Sequence, residues 1–151
     1  MTRPKVLLYN PRTVFHELPL ALLAVGSALD RSRYHVILVD GRIDPDPEAT
    51  LRRHLDEALC VGVSVLSGAP IRDALRISRF ARELRPDLPV VWGGWHPSIL
   101  PWQVLEQAPV DAVVRGQGEE PFAAVVDALA HGGRRALGEL DHERLLSAGA
   151  A

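Results

Sequence analysis

The chain has 151 residues, a size typical of one domain, and 47% of them are hydrophobic, enough for a substantial core. Its net charge of −2, from 17 basic and 19 acidic residues, argues against a protein that grips nucleic acid by neutralising phosphates. Cys60 is the single cysteine, which excludes an intrachain disulfide, a Cys-ligated zinc site and an iron–sulfur cluster held by this chain, and suits a reducing cytoplasm.

Short apolar runs alternate with helical patterns along the chain. Lys5–Tyr9 (KVLLY) reads as a first strand, ended by Asn10-Pro11. LPLALLAVGSAL, from Leu18 to Leu29, reads as a helix with a wide apolar face, and Pro19 suits its first turn. Tyr34–Asp40 (YHVILVD) is the second strand. Asp44, Pro45, Asp46 and Pro47 open a helix over roughly Glu48–Leu59, the acids complementing its N-terminal dipole. Cys60–Leu66 (CVGVSVL) is the third strand, and Pro70 starts a helix that runs to about Leu84. Val90–Trp92 is the fourth strand, closed by Gly93-Gly94. A helix follows from Ser98 or Leu100 to Gln107, its start made irregular by Pro97 and Pro101. Ala112–Val114 is a short fifth strand, and a last helix covers Glu119 to Ala130. The segment 134–151 is weakly patterned, with a short helix expected over Asp141–Leu146, so the domain is expected to occupy 1–133.

The strands are near-continuous apolar runs, as expected when helices cover both faces of a parallel sheet. Five strand–helix units predict an α/β fold: a Rossmann-like, doubly wound five-stranded parallel sheet in three layers, in the flavodoxin-like order 2-1-3-4-5. In such sheets ligands bind beyond the carboxyl ends of the strands. The residues with chemistry gather there. Arg12, Thr13, Val14, Phe15, His16 and Glu17 follow strand one, and Ser64, Leu66, Ser67 and Gly68 end strand three. Gly93, Gly94, Trp95, His96, Pro97 and Ser98 follow strand four, and Gly116, Gln117, Gly118 and Glu119 follow strand five.

Two glycines at a strand end let a flat ligand approach the backbone, although a tight turn needs them equally. Ser64 and Ser67 can bond a ligand edge or cap the next helix. Glu17, Glu119 and Glu120 can do acid–base work, and Glu119 and Glu120 equally suit a first helical turn. His96 is the imidazole placed best for a ligand; His35, His54, His131 and His142 read as structural or solvated. No P-loop, GxGxxG, HExxH or GxSxG pattern is present, and Cys60 sits at the wrong end of its strand to be a nucleophile.

The segments NP, LPLALLAVGSAL, GVSVLSG, VVWGGWHPSILP and DAVVRGQGEEPF together resemble the cobalamin-binding domain at the N-terminus of B12-dependent radical SAM proteins, over residues 4 to 131. The resemblance implies a cobalamin slot lined by Ser64, Leu66, Gly93 and Gly94. It further implies that His96, Pro97 and Ser98, with Gly116, Gly118 and Glu119, meet the corrin edge or nucleotide loop. The Asp-x-His-x-x-Gly motif of methionine-synthase-like members is missing. The implied cobalt therefore has no protein ligand below it or carries a water, with Arg12, Val14 or Phe15 facing that side and His16 as the minor candidate. The CxxxCxxC cluster motif of radical SAM proteins is missing too, so radical SAM chemistry or methyl transfer would need a separate radical SAM or methyltransferase protein as partner. No membrane or nucleic-acid partner is implied. Two other readings stay open: a cofactor-free interaction module using Trp95 and Trp102, and a binder of FMN or a nucleotide.

Overall fold

Alternate side chains of a strand face opposite sides of its sheet, so a strand that is apolar at every position must be covered on both. The computed structural model, which describes residues 2–14 and 18–148, shows this arrangement. Strands β1 (Lys5–Asn10), β2 (His35–Asp40), β3 (Ala58–Ser64), β4 (Val90–Gly93) and β5 (Ala112–Val114) form a parallel sheet in the order β2-β1-β3-β4-β5, the order expected. Leu7, Tyr9, Val61, Val63 and Trp92 face one side, against α2 (Pro47–Arg52), α3 (Pro70–Leu84) and α5 (Pro101–Gln107). Val6, Leu8, Cys60, Val91 and Val114 face the other, against α1 (Leu20–Ser27) and α6 (Glu119–Gly132). Each fully buried Leu, Val or Phe stabilises the fold by about 1.5–3 kcal/mol, so both layers are needed to hold the sheet.

The sheet has six strands rather than the five expected. Leu145–Ser147 forms β6, antiparallel to β5, with Leu145 opposite Val114 and Ser147 opposite Ala112. The short helix expected over Asp141–Leu146 is therefore replaced by an edge strand, preceded by a 3-10 segment at Gly133–Glu139. The reason is tertiary: β5 would otherwise present an unpaired edge. Three residues are too few to show a period-two pattern in the sequence.

Two helices also differ from expectation. The expected helix over Glu48–Leu59 stops at Arg52; a 3-10 turn covers Leu55–Glu57, and Ala58 and Leu59 already belong to β3. Its start is as read: the Asp46 carboxylate accepts from Ala49 N–H at 3.1 Å, with Pro47 in the first turn. The single helix expected from Ser98 or Leu100 is two helices, α4 (Trp95–Ile99) and α5, broken at Leu100. Leu100 precedes Pro101, whose ring disfavours helical backbone at that residue.

Candidate functional site

The α1/α6 layer does not close over the carboxyl half of the sheet. A cavity of about 290 Å3 lies there, floored by Leu8 of β1, Gly62 and Ser64 of β3, Val91 and Gly93 of β4 and Val114 of β5. Its walls are Leu22 and Val25 of α1 and Phe122 of α6, and its rim is Gly94 with the loop Gly116–Glu119. Ser64 and Gly93 are direct neighbours in the β3–β4 ladder, as are Gly62 and Val91. Glycines thus stand on adjacent strands and on the same face of the sheet.

The two glycines differ in what they exclude. A Cβ at Gly62 would come within 3.0 Å of both Leu8 and Phe122, so Gly62 lets α6 press onto the sheet. A Cβ at Gly93 would meet nothing nearer than Val114 O at 3.6 Å, an ordinary contact. Protein packing does not demand a glycine at 93, and the space a side chain would fill is cavity. Gly94 answers to a third requirement. Its φ is +98°, and a Cβ there would lie 2.9 Å from Val65 N, so the turn into α4 requires glycine regardless of any ligand.

The loops around the rim are bonded to one another. Val65 N–H donates to Gly93 O at 2.8 Å and His96 N–H to Val65 O at 3.0 Å. Ser67 Oγ lies 3.2 Å from His96 Nδ1, tying the loops after β3 and β4. Ser98 Oγ donates to Gly94 O at 2.6 Å and accepts from Gly116 N–H at 2.9 Å, tying the loops after β4 and β5. Of the residues expected at the site, Ser64, Gly93, Gly94, Gly116, Gly118 and Glu119 line the cavity. Ser67, His96 and Ser98 frame it from outside, Pro97 is buried within α4, and Leu66 is exposed beside it.

The described residues that follow β1, 11–14, do not line the cavity. Arg12 N–H donates to Asp73 Oδ2 at 2.7 Å, and its Nε donates to Gly41 O at 3.1 Å, drawing the guanidinium toward the turn after β2. Tyr9 O–H donates to the same Asp73 oxygen at 2.6 Å. Burial raises the Tyr9 phenol above its ordinary range, and the bond to Asp73 raises it further. Burial works against ionisation of Asp73 as well, but the bonds from Tyr9, Arg12 N–H and Arg76 hold its carboxyl below the usual range. Thr13 is half-buried and Val14 exposed. Phe15, His16 and Glu17 lie outside the described residues, and so does the minor candidacy of His16.

The remaining nucleophile is inert. Cys60 is fully buried, and burial pushes its thiol up to about 12. Sequence reasoning missed the apolar lining, Leu8, Leu22, Val25, Val91 and Phe122, because such residues look the same whether they meet another side chain or a ligand. Gly62, inside an otherwise β-branched strand, was the available signal: an interior strand glycine marks close approach of another group.

The B12 binding domain model matches residues 4–126. The chain belongs to the B12-binding domain family, with the Rossmann-like fold of that family. It is 35% identical over 117 residues to an anaerobic magnesium-protoporphyrin IX monomethyl ester cyclase of Synechocystis, a match covering 74% of this chain and 23% of that protein. It is 31% identical over 118 residues to an uncharacterized methyltransferase of Pyrococcus horikoshii, covering 76% of this chain and 25% of that protein. The chain thus spans about a quarter of the length of these curated relatives.

Among solved structures it superposes on the radical S-adenosylmethionine methyltransferase TsrM of Kitasatospora setae, determined with cobalamin and a 4Fe–4S cluster bound. The TM-score is 0.80 at 26% identity, over 97% of this chain and 29% of that one. The methanol:cobalamin methyltransferase complex MtaBC of Methanosarcina barkeri shares the fold, with a TM-score of 0.69 at 15% identity over 94% of this chain and 54% of that one.

Proposed function

We propose that this chain is a cobalamin-binding module that holds its cofactor without a protein histidine on cobalt and presents it, as cobalamin or methylcobalamin, to a separate radical SAM or methyltransferase protein. The observation that carries the reading is the slot at Gly93: packing leaves a side chain's worth of space unfilled beside Ser64, at the strand ends where this fold takes ligands. At about 290 Å3 the cavity is near the lower end of the range for small-molecule pockets, sized for one end of a large cofactor. In this reading the nucleotide end enters the cavity, past Ser64, Gly93 and Gly94. Leu66, Ser67, His96, Pro97, Ser98, Gly116, Gly118 and Glu119, together with Arg12 and Thr13, would hold the corrin.

When bound, the cobalt supplies a methyl-carrying centre that no side chain of this chain provides. The chain's own residues position it. Ser98 and the Ser67–His96 pair fix the spacing of three loops, and Leu22 and Val25 of α1 with Phe122 of α6 give the slot apolar walls. Asp73 anchors Arg12 from α3 through its backbone N–H, and Gly41 O holds its Nε.

The test is to mix the folded chain with hydroxocobalamin, desalt it and record the visible spectrum. Retained corrinoid is expected; a folded chain that elutes colourless would overturn the reading. The absence of a histidine on cobalt is tested by electron paramagnetic resonance of the reduced cob(II)alamin complex, where no nitrogen superhyperfine splitting is expected. A second reading, a cofactor-free interaction module, draws on the exposed Trp95 and Trp102 of α4 and α5. It predicts partner capture that is the same with and without corrinoid.

A further inference from the structure

We infer that the cavity discriminates among corrinoids by the base of their nucleotide, accepting an apolar benzimidazole and disfavouring a purine. The inference rests on the proposed cofactor reading and adds to it a ligand class that the fold alone does not specify.

The argument is an inventory of hydrogen-bonding groups by depth. The walls and floor at depth are Leu8, Leu22, Val25, Val91, Val114 and Phe122, none of which offers a polar side-chain atom. Among the described residues, three lining side chains are polar: Ser64, Gln117 and Glu119. Gln117 is exposed and Glu119 half-buried, both on the loop leading into α6, at the rim. Ser64 alone lies on the floor, beside Gly93, and its hydroxyl makes no hydrogen bond among the described residues. The backbone of the floor adds little, because β3 and β4 spend their N–H and C=O groups on each other and on β1 and β5.

A single hydroxyl is matched to a bicyclic base with few polar ring atoms and an otherwise apolar edge. A purine carries several ring acceptors, and adenine adds an exocyclic amine with two donors. Seated at this depth, most of those groups would lose water without gaining a partner, a cost that an apolar pocket imposes on any polar intruder. Methyl groups on a benzimidazole meet Leu, Val and Phe surface and gain from the same burial. Discrimination of this kind, set by desolvation of polar groups in an apolar pocket, reaches about 10- to 100-fold.

The experiment measures binding of three corrinoids to the full chain by equilibrium dialysis: hydroxocobalamin, its adenine-base analogue, and cobinamide, which has no base. Cobalamin is expected to bind at least about tenfold more tightly than the adenine form. Cobinamide is expected to bind more weakly than cobalamin, since the cavity then stays empty. Equal Kd for the two complete corrinoids would overturn the inference and leave the cofactor reading standing. Cobinamide binding as tightly as cobalamin would also overturn it, because the base would then not enter the cavity. A folded chain that retains none of the three would overturn the cofactor reading and the inference together. The Ser64→Ala variant gives an independent check: it is expected to weaken both complete corrinoids while keeping their order.

Discussion

The two faces of the sheet are made by alternate residues of the same strands, yet one is solid and the other hollow. On the α2/α3/α5 side, Trp92 fills the space at the end of β4, and its indole Nε1 donates to Ser78 Oγ at 3.0 Å. One residue later, on the α1/α6 side, Gly93 leaves the equivalent space open. Tyr9 and Leu8 make the same contrast on β1: the first is spent on packing and on Asp73, the second floors the cavity. The difference teaches that a cavity can open on one face of this sheet without any change in the strands that carry it. Here the opening comes from Gly93, which stands in place of a filling side chain, while the space at Gly62 is taken up by Leu8 and Phe122.

The largest expected effect breaks the solid face. Trp92→Ala removes the bulkiest fully buried side chain and leaves the Ser78 hydroxyl without its donor, so a loss of about 3–5 kcal/mol in denaturant-measured stability is expected. What remains folded is expected to keep its corrinoid, because the residue points away from the cavity.

Gly94→Ala is the next strongest. It forces a Cβ into φ +98° and against the Val65 backbone, at a cost of about 1–3 kcal/mol, read as a lowered Tm. Gly93→Val is expected to separate the two roles: little change in Tm, but corrinoid retention reduced at least tenfold, about 1.4 kcal/mol of binding, measured after desalting. If Gly93→Val destabilises the chain as much as Gly94→Ala does, Gly93 is a packing residue and the contrast between the faces fails.

The smallest effect concerns the β1 loop. Asp73 has a carboxyl pKa held below its unfolded value of about 3.9, so it contributes stability above that pH. That contribution is lost as pH falls through the lower, folded value. Asp73→Asn keeps acceptors for Tyr9 and Arg12 but cannot titrate. Its Tm is expected to fall less steeply than the parent's between pH 5 and pH 2 (an acid window bracketing about 3.9), with no change in slope near pH 7.

Much of this was legible in the amino-acid order. Uninterrupted apolar strands dictate two covered faces, and the Pro, Gly and Asx residues between them mark where each unit turns. Proximity to strand ends was enough to nominate Ser64, Gly93, Gly94, Gly116, Gly118 and Glu119, all of which line the cavity. It could not tell lining from framing. Ser98 and His96 belong to the same run of residues as Gly93 and Gly94, but the turn at Gly94 aims them at Gly116 and Ser67.

The sequence by itself determined the parallel α/β order, the span of α3, and the cluster of glycine and hydroxyl residues at one end of the sheet, because period and turn chemistry are local properties. Only the tertiary structure decided that Leu145–Ser147 is a strand, that α4 and α5 part at Leu100, and that Gly62 and Gly93 share one face over a hollow. Those outcomes depend on which edge is left unpaired and which side chain reaches into which space, and neither is written in any short stretch of chain.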